Sequence, residues 1–124
     1  MELDKLEHSL LSRAGSELSY PFGPEVRVYK VKGKMFAWVA HENTPLDLTL
    51  KCQPSEVDFL VDEYASIKRG YHMNKRHWVT IALDGEVPES MLEDLIDRSY
   101  RLVVSKLPKR EQTSLLIIGD DPTP

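Results

Sequence analysis

Val26-Arg27-Val28-Tyr29-Lys30-Val31-Lys32-Gly33-Lys34-Met35-Phe36-Ala37-Trp38-Val39-Ala40 is the stretch that decides the fold. β-Branched and aromatic residues fill both halves, and Lys32-Gly33 between them offers the positive φ that a two-residue hairpin connection needs. The pattern predicts antiparallel strands over 26–31 and 34–40. Beyond the polar loop His41 to Pro45, Leu46, Leu48 and Leu50 alternate with Asp47, Thr49 and Lys51. A period of two predicts a third strand, one face buried and the other wet. Together the three make an antiparallel meander.

Pro54 stands where a first helical residue belongs, Ser55-Glu56 favours the helix start, and Val57, Leu60, Val61 and Tyr64 form one apolar stripe. Ser66 to His72 then reads as a short extended segment. His77-Trp78-Val79-Thr80-Ile81-Ala82-Leu83 alternates like a half-buried strand and stops at the turn pair Asp84-Gly85. A second hairpin is expected, with Met73 to Arg76 at its tip. Pro88-Glu89 opens the longest helix, followed by Met91, Leu92, Leu95, Ile96, Tyr100, Val103 and Leu107 at helical period until Pro108 interrupts. Leu115 to Ile118 fits a helical turn, a strand or a docking tail equally well.

Toward the N-terminus, Leu3, Leu6, Leu10 and Leu11 predict a helix over 2–13 that Ala14-Gly15 closes. Ser16 to Pro24 reads as loop, with Tyr20 and Phe22 stapling it to the core. The expected fold is α+β: two layers, an antiparallel sheet of about five strands with helices on one face, in the order α-β-β-β-α-β-β-α. Residues 1–118 are expected to form one domain and 119–124 a disordered tail.

A chain of 124 residues can bury a core without disulfides or metal. Cys52 is the sole cysteine, which excludes an intrachain disulfide and fits a reducing compartment. The start, Met-Glu-Leu-Asp-Lys, lacks the layout of a secretory signal, and no apolar run nears the roughly 20 residues a bilayer requires. A cytoplasmic protein that does not engage membranes is expected. The net charge is −4, but it is unevenly spread. Residues 26–41 and 65–83 together hold eight Lys and Arg and no carboxylate, leaving −12 for the rest. Such polarity fits one cationic face.

The densest cationic run is Lys68-Arg69-Gly70-Tyr71-His72-Met73-Asn74-Lys75-Arg76-His77-Trp78. Held out at a hairpin tip, it suits a polyanion, and the Lys32-Gly33 turn flanked by Lys30 and Lys34 is a second basic tip. As a nucleic-acid surface, Lys32, Lys34, Lys75 and Arg76 would meet phosphates, with Lys30, Arg69 and Asn74 in support. Double-stranded DNA is the expected partner. Asn74 has the amide that can pair with adenine, although asparagine at a tip more commonly serves turn geometry.

Other chemistries are thinner. Cys52 precedes a helix start, where thiol pKa values fall, yet a lone cysteine at a strand end usually packs as a small apolar side chain. No phosphate-cradling glycine loop or nucleophile elbow is present, and no catalytic residue is assigned. His72 and His77 with Asp84 or His41 would be the raw material of a metal site, but the spacing matches no ligand motif, so neither metal nor cofactor is expected. The alternative function is a protein- or small-ligand-binding module, or a homodimer. It would use a sheet face bearing Tyr29, Trp38, Tyr71 or Trp78, with His72, His77 and Trp78 as contacts.

Several motifs, in this order, resemble the MmcQ/YjbR family of small bacterial proteins over nearly the whole chain. They are Ala14-Gly15, Tyr20-Pro21-Phe22-Gly23, Val28-Tyr29-Lys30-Val31, Gly33-Lys34-Met35-Phe36-Ala37 and Leu50-Lys51-Cys52-Gln53-Pro54. Gly70 to Trp78, Leu83-Asp84-Gly85, Ser99-Tyr100 and Lys106-Leu107-Pro108 follow. In that family proline usually precedes the glycine of the second tip; here Arg69 does. The resemblance implies a two-layer α+β fold related to frataxin-like and secretion-chaperone-like domains. It also implies a DNA-binding role through a "double wing" of paired hairpins.

Overall fold

The computed structural model describes residues 1–70 and 74–119. Its order is α1 (Leu3–Leu11), β1 (Ser16–Ser19), β2 (Val26–Val31), β3 (Lys34–Ala40), β4 (Asp47–Lys51), α2 (Pro54–Glu63), β5 (Ile67–Arg69), β6 (Trp78–Ala82), α3 (Glu89–Ser105) and α4 (Lys109–Gly119). The six strands form one antiparallel sheet in the order β1-β2-β3-β4-β6-β5. Two elements exceed the sequence reading. Ser16-Glu17-Leu18-Ser19, read as loop, pairs with β2 as an outer strand. The segment after Pro108 is a helix, in which Leu115 is buried. Of the expected tail over 119–124, Gly119 is the last residue of α4 and residues 120–124 lie outside the described residues.

Register explains the two layers. Directly paired residues share a face, so Leu18, Tyr29, Ala37, Leu50 and Val79 form one row, with Val39, Leu48, Ile81 and Ile67 beside it. These rows meet Leu6 and Leu10 of α1, Val57 and Leu60 of α2, and Leu92, Leu95, Ile96 and Val103 of α3 in one core. Full burial of each such side chain contributes about 1.5–3 kcal/mol. The opposite face carries the row Ser19, Val28, Trp38, Thr49, Thr80 and Lys68. It is drier than the alternation in β4 predicts, because Thr49 is buried and shares a 2.9 Å hydrogen bond with Thr80.

Three local features set up the functional end. Lys32 (φ 50°) and Gly33 (φ 80°) both take positive φ, the primed turn whose twist matches its flanking strands. In β3, Phe36 has no partner in β2, since Tyr29 pairs with Ala37 and Lys30 with Met35. This bulge leaves the Phe36 carbonyl free to accept from the Ser99 hydroxyl of α3. The same oxygen accepts the Lys51 N–H at 2.9 Å, so one buried hydroxyl ties α3 to two strands. Tyr100, next to it, meets Phe36 edge-on with centroids 5.4 Å apart and donates to the Ala14 carbonyl.

The loop after β1 is a correction. Tyr20 and Phe22 are 47% and 63% exposed and staple nothing. Backbone bonds from Gly23 N–H to the Tyr20 carbonyl and from Val26 N–H to the Gly23 carbonyl close that loop without help from the rings.

Candidate nucleic-acid interface

Strand direction brings the two tips to one end of the sheet. β2 rises into the Lys32-Gly33 turn and β3 descends from it; β4 rises again and ends at Lys51, opposite Trp78, where β6 begins. β5 rises beside β6 to Arg69. Cys52 N–H donates to the His77 carbonyl at 2.8 Å and Gly70 N–H to the Trp78 carbonyl at 2.7 Å, fixing the roots of the second tip. Gly70 is required there, because a Cβ would lie 2.6 Å from Trp78 Cβ. The β2–β3 pair and the β6–β5 pair are centred three strand spacings apart, about 14 Å.

Ion-paired carboxylates gather in the helical layer. Every ion pair among the described residues uses a carboxylate from α1, α2 or α3. Arg98 bridges Glu56 and Asp94, Arg13 reaches Glu93 and Asp97, and Arg27 binds Glu7 at 2.6 Å, far from the tips. Lys32, Lys34, Lys75 and Arg76 are exposed and have no carboxylate within salt-bridge distance among the described residues. Lys32 Nζ donates to the Ser114 hydroxyl of α4, at 3.3 Å.

The supporting residues divide. Arg69 is on the helix side of the edge strand and binds Asp58 of α2 at 3.0 Å, so a carboxylate partly offsets its charge at the surface. Lys30 is half-buried on the opposite face, directly across from Glu17. The Asn74 side-chain oxygen accepts the Arg76 N–H at 2.9 Å, and the Asn74 carbonyl accepts from His77 N–H. Asn74 therefore shapes the tip, as tip asparagines commonly do. His77 is half-buried and Trp78 is 8% exposed. His72, with Tyr71 and Met73, lies outside the described residues. Of the other rings named for an aromatic face, Tyr29 is fully buried and hydrogen-bonded to Glu7, and Trp38 is half-buried.

Two lysines that the sequence does not single out complete the site. Lys51 ends β4 and Lys106 caps α3, and both line a cavity of about 290 Å³ with Asn74, His77 and Trp78 between the tips. An adjoining cavity of about 420 Å³ shares Lys51, Trp78 and Lys106 and adds Lys34. Among the described residues no carboxylate lines either one. The available signal was the pairing of Lys51 with Trp78, which shows only once β4 is placed beside β6.

The thiol and metal readings meet geometry. Cys52 is 2% exposed, and burial, with the nearby Glu56 carboxylate, pushes its thiol up to about 12. That is opposite to the thiolate a nucleophile needs. Iodoacetamide at pH 8 is expected to leave Cys52 unmodified in the folded chain and to alkylate it fully in denaturant; rapid labelling without denaturant would contradict this burial. His77 precedes β6 while Asp84 follows it, and His41 follows β3 at that same far end, so His77 is a strand length from both, and His72 lies outside the described residues. Among the described residues no group of three or more His, Cys, Asp or Glu could hold a metal ion, and no helix is long and apolar enough to cross a membrane.

The fold defines a class: a small α+β domain with a six-stranded antiparallel sheet backed by helices, with exposed Lys32, Lys34, Lys75 and Arg76 at one end. The chain belongs to the YjbR family, whose family model matches residues 11–102. It is 43% identical over 96 residues to the Escherichia coli O157:H7 protein YbdF, covering 77% of this chain and 79% of that one. It is 32% identical over 118 residues to YjbR of Escherichia coli K12, covering 94% and 98%. Both relatives are described as uncharacterized. A Deinococcus radiodurans crystal structure with a DUF419 domain superposes with TM-score 0.88 at 38% identity, over 92% of this chain and 87% of that one. A Pseudomonas syringae structure at 24% identity and TM-score 0.71 shares the fold, over 82% and 98%.

Proposed function

We propose that this protein is a cytoplasmic, non-enzymatic binder of double-stranded DNA that grips phosphates through its two wings. The observation carrying the reading is the segregation of charge. Lys32, Lys34, Lys75 and Arg76 lie at one end of the sheet, with Lys51 and Lys106 between them, while the carboxylates that form ion pairs among the described residues all lie on α1, α2 and α3. The spacing of the tips, about 14 Å, is close to the major-groove width of about 12 Å, so each wing can follow one flanking backbone. Phosphate contacts supply affinity without sequence choice, and Asn74, committed to its turn, adds little base reading.

The test is fluorescence anisotropy with labelled duplex at several salt concentrations. Four phosphate contacts predict that log affinity falls with log salt at a slope of about −3 to −4. A slope near zero removes the proposal. The alternative of an aromatic sheet face has less support, because Tyr29 is fully buried and Trp78, 8% exposed, lines the cleft between the wings instead of an open face.

A further inference from the structure

The space between the wings is more than a gap between two phosphate-gripping tips. The cavity bounded by Lys51, Lys106, Trp78, Leu102, Asn74 and Gln53 is about 290 Å³, at the small end of ligand sites. Lys51 ends β4 and Lys106 caps α3, so the two layers each bring one lysine to its lining. Neither has a carboxylate within salt-bridge distance among the described residues, and none lines the cavity. Converging lysines without a carboxylate select an anion.

The remaining walls are mixed. Leu102 and Trp78 supply apolar surface, while Gln53 and the Asn74 amide nitrogen, whose oxygen partner is already occupied, supply amide groups able to meet a polar edge. A doubly charged head, a flat apolar body and a polar rim describe a phosphomonoester carrying an aromatic base. The adjoining cavity with Lys34 leaves room for a sugar or a second phosphate.

We infer that this cleft binds a nucleotide-sized phosphomonoester, with Lys51 and Lys106 on the phosphate and the Trp78–Leu102 wall against the base. The ligand is either a free mononucleotide or the phosphorylated end of a nucleic-acid strand. This rests on the cleft and not on the wing tips, since Lys75 and Arg76 do not line it. Lys51 and Lys106 also belong to the proposed duplex surface, and the Lys75→Glu/Arg76→Glu protein separates the two bindings.

The experiment titrates the full chain with AMP, with inorganic phosphate, and with a short oligonucleotide carrying either a 5′-phosphate or a 5′-hydroxyl. Calorimetry is read beside the emission of Trp78 in a Trp38→Phe background, where Trp78 is the sole tryptophan. Saturable binding of AMP or of the phosphorylated strand is expected, with an emission change and competition by inorganic phosphate. Lys51→Met and Lys106→Met, each checked for an unchanged melting temperature, should each weaken it at least tenfold. Lys75→Glu/Arg76→Glu should leave AMP affinity within a few-fold. Preference for AMP identifies a free ligand; preference for the 5′-phosphate over the 5′-hydroxyl identifies a strand end. Absence of saturable binding by both, or equal binding by folded Lys51→Met and Lys106→Met, overturns the inference.

Discussion

Replacing Lys75 and Arg76 together by glutamate is expected to lower affinity for duplex DNA on the order of 100-fold at low salt. Two favourable phosphate contacts become two repulsive ones, and the salt slope should flatten by about 2 as those counterions are no longer released. Both side chains are exposed on a turn held by backbone bonds and the Asn74 carboxamide, so the fold should survive and melting should hardly change. Reversal of Arg69 is a contrasting case. Its guanidinium already binds Asp58, so Arg69→Glu should cost little DNA affinity and instead weaken the junction of β5 with α2. Wild-type affinity in the Lys75→Glu/Arg76→Glu protein would show that the second wing does not touch DNA.

The largest stability effect is expected from Ser99→Ala, a change of one atom. Its hydroxyl accepts the Lys51 N–H and donates to the Phe36 carbonyl, and the residue is fully buried. Alanine strands both backbone groups away from water, at about 1–3 kcal/mol for each group left unpaired. A total of roughly 2–4 kcal/mol is a large share of the stability of a domain this size. The melting temperature should fall by roughly 10 °C. Chemical denaturation with an unchanged m-value would confirm a pure stability loss. A loss below about 0.5 kcal/mol would mean that the bulge finds another partner for its carbonyl. Lys51 is anchored through this same hydroxyl, so the variant should also blunt any binding that depends on Lys51.

Much of this architecture is legible from the chain. The meander over 26–51, the helix opened by Pro54, the second hairpin and the long helix after Pro88 all follow from period and turn chemistry. Two elements escape for different reasons. Ser16-Glu17-Leu18-Ser19 has one apolar residue, and its strand exists because β2 offers backbone partners. Residues 109–119 concentrate their apolar side chains in the contiguous run Leu115 to Ile118, which carries no period at all. The site divides similarly. Tip lysines announce themselves by clustering along the chain, whereas Lys51 and Lys106 look like ordinary solvated residues until the end of β4 meets the end of α3. Arg69 misleads in the opposite sense, since the run that contains it says nothing of Asp58 waiting on α2.

The outermost strands have a consequence for life in a crowded cell. An open sheet six strands wide offers two unpaired rims, and each is an invitation to cross-β stacking between neighbouring copies. Here one rim is only Ile67-Lys68-Arg69 and the other Ser16-Glu17-Leu18-Ser19, both short, and each carrying charge. Such rims give an arriving chain few backbone partners and a charged neighbour, so the protein should resist fibril seeding even when concentrated along a polyanion.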